Sequence, residues 1–90
     1  MKVIKIGALW CSGCLVMRPI WKRIEAENLW LTTEYFDFDD RKDKVAEFKI
    51  EGGVLPVFIF LDKDDNELLR LTGEVSRERI LQAINEYKDR

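Results

Sequence analysis

Trp10-Cys11-Ser12-Gly13-Cys14 decides how this chain is read. It holds the only two cysteines in 90 residues, and it stands where an apolar strand, Val3–Leu9, passes into a helix. Two thiols three positions apart can close a small disulfide ring. A helix N-terminus presents unpaired backbone N–H groups and the positive end of the peptide dipole. Both favour a thiolate on the first cysteine, and the thiolate is the nucleophile of disulfide exchange. A buried structural cysteine needs none of this.

Working outward, the pattern predicts an α/β chain. Val3–Leu9 is short, apolar and rich in β-branched residues, the signature of a buried strand. From Ser12 to about Asn28, Cys14, Met17, Trp21 and Ile24 recur on one helical face, with Leu15 and Ile20 beside them. Pro19 lies inside this pattern, where it removes one backbone donor and bends the helix. Thr32–Asp39 predicts a second strand, and about Arg41–Lys49 a short helix ended by Gly52-Gly53. Val57–Leu61 is a strongly apolar strand. Across the polar turn Asp62–Asn66 it pairs with Glu67–Thr72 as a hairpin. Ser76 caps a last helix whose inner face is Ile80, Leu81, Ile84 and Tyr87. Trp21, Trp30, Phe36, Phe48, Phe58 and Phe60 are assigned to packing. The first crossover makes two strands parallel, and the hairpin adds two antiparallel ones. The expectation is one domain over residues 1–90: β-α-β-α-β-β-α, a mixed four-stranded sheet with helices on both faces.

Composition narrows the function. The chain is 47% hydrophobic and 36% charged, with net charge −2, so it offers no basic field for nucleic acid. No segment approaches the roughly 20 apolar residues of a membrane span. Lys5 interrupts the first apolar run, which is not the pattern of a signal peptide. Two cysteines alone are no disulfide framework. The expected location is therefore the cytoplasm. Histidine is absent, which removes Cys-His sites, Ser-His-Asp triads and Cys₂His₂ zinc sites. Acid–base help must come from Lys, Asp, Glu or the thiols. Asp62-Lys63-Asp64-Asp65-Asn66 faintly resembles a calcium loop, but Glu67 stands where that loop needs Gly and Gly73 where it needs Glu. It is assigned to a polar turn.

These features, in this order, resemble the minimal thioredoxin fold. Trp10-Cys11-Ser12-Gly13-Cys14 resembles the family's Trp-Cys-x-x-Cys, and Pro19 stands where its helix-kinking proline does. Leu55-Pro56, before an apolar strand, resembles its cis-proline site, and Gly73 the glycine that lets a partner's backbone approach. The match covers nearly the whole chain. Four points depart from it. The chain starts at the active-site strand, without the extra N-terminal strand and helix. Lys5 occupies the position of a usual buried acid. Ser-Gly replaces the usual dipeptide, and Phe48–Pro56 is about two residues longer. A glutaredoxin-type glutathione site is missing too, since no Gly-Gly-x-Asp follows the proline.

The resemblance implies a thiol–disulfide oxidoreductase, with Cys11 as nucleophile and Cys14 as resolving thiol. It implies substrate docking at Trp10, Ser12, Gly13, Leu55, Pro56 and Gly73. A cis Leu55–Pro56 bond would expose the Leu55 backbone to an incoming peptide as an added strand. No bound cofactor or metal is expected. The expected partners are a disulfide-containing protein and a reductase or dithiol donor, and the expected state is a monomer. Lys5 has two readings: an ammonium that snorkels to the surface, or an amine under Cys14 that tunes the thiols. Two other functions stay open. One is a non-catalytic redox-sensing or binding module on the same fold. The other is a dimer joined by zinc at paired Cys-x-x-Cys motifs.

Overall fold

A computed structural model describes residues 1–51 and 54–90. Its elements run β1 (Lys2–Gly7), α1 (Ser12–Glu27), β2 (Thr32–Asp37), α2 (Lys42–Glu47), β3 (Val57–Leu61), β4 (Glu67–Thr72) and α3 (Arg77–Tyr87). The sheet order is β2-β1-β3-β4. β1 pairs parallel with β2 and antiparallel with β3, and β3 pairs antiparallel with β4. The element order and mixed sheet are those the sequence predicts.

β1 and β3 are central, and helices cover both of their faces, so β3 is apolar throughout and β1 is apolar except for Lys2 and Lys5. Alternation sends Val3, Phe58 and Phe60 to the α1 and α3 side, where they meet Met17, Trp21, Ile24, Ile80, Ala83 and Ile84. It sends Ile4, Ile6, Val57, Ile59 and Leu61 to the other side, with Val45 and Phe48 of the α2 region packed on them. Each such side chain contributes about 1.5–3 kcal/mol when fully buried. A third, small cluster of Ala8, Cys11 and Cys14 sits at the end of β1.

Several boundaries differ from expectation, each for a local reason. β1 stops at Gly7, and Leu9 and Trp10 lie exposed in a turn. β2 stops at Asp37, because its carboxylate accepts the amides of Asp39 and Asp40 and turns the chain. α2 is shorter than predicted. Lys49 adopts φ +55, and the Ile50 amide closes on the Val45 carbonyl. The expected helix stop at Gly52-Gly53 lies outside the described residues. Trp30 is 50% exposed rather than packed, and Leu15 is also exposed. Ala83, which the sequence reading omitted, is fully buried on the inner face of α3. Asp62 accepts the amides of Asp64 and Asn66, which makes residues 62–66 a self-capped hairpin turn. No helix among the described residues is long and apolar enough to cross a membrane.

Candidate active site

Cys11 is the N-cap of α1, with extended backbone (φ −91°, ψ 113°). Its Sγ accepts the Cys14 amide at 3.2 Å, so one of the helix's orphan donors points at the sulfur. Its own amide donates to the Ala8 carbonyl, which ties the cysteine to the end of β1. Both cysteines are free thiols and only 8% exposed. Burial pushes the Cys14 thiol up to about 11, and its hydrogen bond to Cys11 adds to the rise. Cys14 is therefore a protonated thiol at neutral pH, poised one helical turn from the capping sulfur.

Gly7 makes the room for this pair. A Cβ there would stand 3.1 Å from Cys14 Sγ and 3.2 Å from the ring and hydroxyl of Tyr35. The phenol and the buried thiol are thus near neighbours across the glycine. Burial, with Asp37 and the two cysteines nearby, raises the Tyr35 phenol above its ordinary range. An isolated glycine inside an apolar strand is the sequence signal for such a close approach.

Behind Cys14 opens a cavity of about 260 Å³ between the sheet and α1. Lys5 lies on its wall and keeps only 17% exposure. Its ammonium pairs with Glu25 and lies 5.5 Å from the centre of the Trp21 ring. Thr33 donates to the same Glu25 oxygen at 3.0 Å. The ammonium is thus largely withdrawn from the surface and paired inside the cavity that Cys14 also lines. It is committed to a carboxylate about three helical turns further along α1. Glu25 and Thr33 were not singled out by sequence, because nothing in their spacing marks them as Lys5 partners.

The rim is built by three loops. Trp10 is 61% exposed, and its indole donates to Asp39 at 2.7 Å. The ring also meets Phe38 edge-to-face at 6.4 Å. The Leu55–Pro56 peptide bond is cis. Leu55 packs against the cysteine cluster, and Pro56 Cδ stands 3.4 Å from where a Gly13 side chain would begin. Gly73, at φ +77°, donates its amide to the Pro56 carbonyl at 2.7 Å. A side chain there would meet no atom of the chain, so within the fold itself it is the backbone angle that calls for glycine. Ser12 is exposed in the first turn of α1. Trp10, Ser12, Gly13, Leu55, Pro56 and Gly73 therefore cluster at the cysteine end of the sheet, while Lys5 lies on the wall of the cavity behind Cys14.

The chain matches the thioredoxin family model over residues 1–88. It is 26% identical to the thioredoxin of Chlamydia pneumoniae over 85 residues, 94% of this chain and 80% of that protein. It is 32% identical to the H-type thioredoxin of Fagopyrum esculentum over 71 residues, 79% of this chain and 59% of that one. Its fold is similar to the crystal structure of thioredoxin NaTrxh from Nicotiana alata. There the TM-score is 0.86 at 24% identity, over 96% of this chain and 71% of the other. With the fold, the capped Cys-x-x-Cys and the family match together, this chain belongs to the thioredoxin family and has a thioredoxin-like redox function.

Proposed function

We propose that the protein reduces disulfides in partner proteins by dithiol exchange through Cys11 and Cys14. The observation that carries this reading is the asymmetry of the pair. Cys11 Sγ receives a helix N-terminal amide, while the Cys14 thiol is buried and held protonated. A Cys11 thiolate attacks one sulfur of the partner's disulfide. A mixed disulfide forms, and the partner's other sulfur leaves as a thiolate. Cys14 then loses its proton, by way of solvent, to the thiolate the partner has released, and attacks Cys11 Sγ. The Cys11–Cys14 bond forms, the mixed disulfide breaks, and the partner leaves with both sulfurs reduced. Two electrons have passed from the dithiol to the partner. A reductase or an external dithiol returns them to the pair, with no bound cofactor. Trp10, Leu55, Pro56 and Gly73 form the docking rim, and a reducing compartment such as the cytoplasm suits this direction.

The test is insulin-disulfide reduction driven by dithiothreitol. The native protein accelerates it, Cys11→Ser abolishes the acceleration, and Cys14→Ser accumulates a mixed disulfide with the substrate. A native rate at background would overturn the reading and leave a binding or sensing module.

A further inference from the structure

We propose that Glu74 sets which disulfides this site accepts, favouring those flanked by cationic groups over those flanked by carboxylates. The proposal rests on the dithiol reading above and names its substrate class. The backbone turn at Gly73, pinned by the amide bond to Pro56, returns residue 74 toward the start of α1. There Glu74 Cγ lies 3.2 Å, and its Oε1 3.5 Å, from where a Gly13 side chain would begin. The Pro56 ring approaches the same point at 3.4 Å. A carboxylate thus stands over the tip of the Cys11–Cys14 turn, beside the proline where a substrate's sulfur must arrive.

Among the described residues, no ion pair or side-chain hydrogen bond holds Glu74. It is exposed, and its charge faces whatever docks. The cations near the site do not neutralise it. Arg18 lines the cavity behind Cys14 with Tyr35 and Pro56 and makes no ion pair with Glu74 among the described residues. Lys42 sits over Phe38 and is paired with Asp39. An approaching disulfide therefore meets an unpaired anion on the Pro56 side. One unit charge acting across part-solvated surface is expected to change the rate about threefold to tenfold between oppositely charged disulfides.

The experiment mixes reduced protein with excess cystamine, bis(2-hydroxyethyl) disulfide or dithiodiglycolate at low salt. These carry positive, neutral and negative ends. Quenched mass spectrometry follows oxidation of the Cys11–Cys14 pair. Comparing native protein with variants cancels the intrinsic reactivity of each reagent. The expected result is that the cystamine-to-dithiodiglycolate rate ratio falls about threefold to tenfold in Glu74→Gln and further in Glu74→Lys. A high-salt buffer lowers the native ratio in the same direction. A ratio that is the same in native, Glu74→Gln and Glu74→Lys protein, while all three reagents react, overturns this proposal alone. Failure of native protein to react even with the neutral reagent overturns the dithiol reading and this proposal with it.

Discussion

Lys5 on β1 and Glu25 on α1 form an ion pair on the wall of the cavity behind Cys14, and Thr33 on β2 donates to the same Glu25 oxygen. One carboxylate thus ties together the first three elements of the chain, β1, α1 and β2. Opposite charges in contact offset each other's field at a distance, so removing one partner would leave the other's field uncompensated in the cavity that Cys14 lines.

Removing one partner at a time reverses the sign of that effect. Lys5→Met leaves an uncompensated carboxylate, which disfavours the Cys14 thiolate and moves its alkylation to higher pH. Glu25→Gln leaves the ammonium and moves it to lower pH. Site-resolved alkylation across a pH series checks both, and superimposable curves for all three proteins would show that the pair does not reach the thiol.

The same pair contributes to stability. Its side chains are partly buried, between the exposed and fully buried extremes, so Lys5→Met is expected to cost about 1–3 kcal/mol in urea unfolding. Lys5→Met with Glu25→Gln is expected to cost less than the two single changes added together. Strict additivity would mean that the contact has no energetic coupling.

Cys14 links folding to alkaline pH. Its thiol is held at about 11 in the folded protein, above the ordinary value of 9.0. The unfolded chain therefore ionises first as pH rises. The stabilising contribution is complete below pH 9 and is lost as pH climbs through 11, by about 1–3 kcal/mol. Urea unfolding of the reduced protein from pH 8 upward should show this loss, and Cys14→Ala should lack that component.

Gly7 and Gly73 are both needed, for different reasons. Gly7→Ala forces a methyl against Cys14 Sγ and the Tyr35 ring, an overpacking cost of about 1–3 kcal/mol. Gly73→Ala meets no atom but keeps φ +77°, a backbone cost of about 1–2 kcal/mol. Gly73→Asn should recover part of that loss, because Asn tolerates the left-handed region, whereas Gly7→Asn should be worse than Gly7→Ala. Equilibrium denaturation of the four variants decides it.

Asp39 holds the Trp10 indole at the rim. Asp39→Ala is expected to lower kcat/KM for a protein disulfide about twofold to tenfold, through the ordering that the freed indole must regain on docking. The loss for a small disulfide should be less. Equal losses for both substrates would place the effect at the sulfurs rather than at the rim.

Much of this protein is legible in one dimension. Apolar periodicity over Cys14, Met17, Trp21 and Ile24 marks α1, and the continuous run Val57–Leu61 marks a strand covered on both faces. Cys-x-x-Cys after a strand marks the redox pair, because two thiols at that spacing share one helix start. These are local relations, set by the pitch of a helix and the pleat of a strand. The sequence alone therefore determined the element order, the mixed sheet and the two sulfurs. Lys5 with Glu25, Gly7 with Tyr35, Trp10 with Asp39 and Gly13 with Glu74 are not of that kind. Their partners lie 20 or more residues away in the chain, and no spacing rule pairs them. Only the folded sheet, with α1 packed across it and three loops meeting at its edge, decided which charges and which space surround the cysteines.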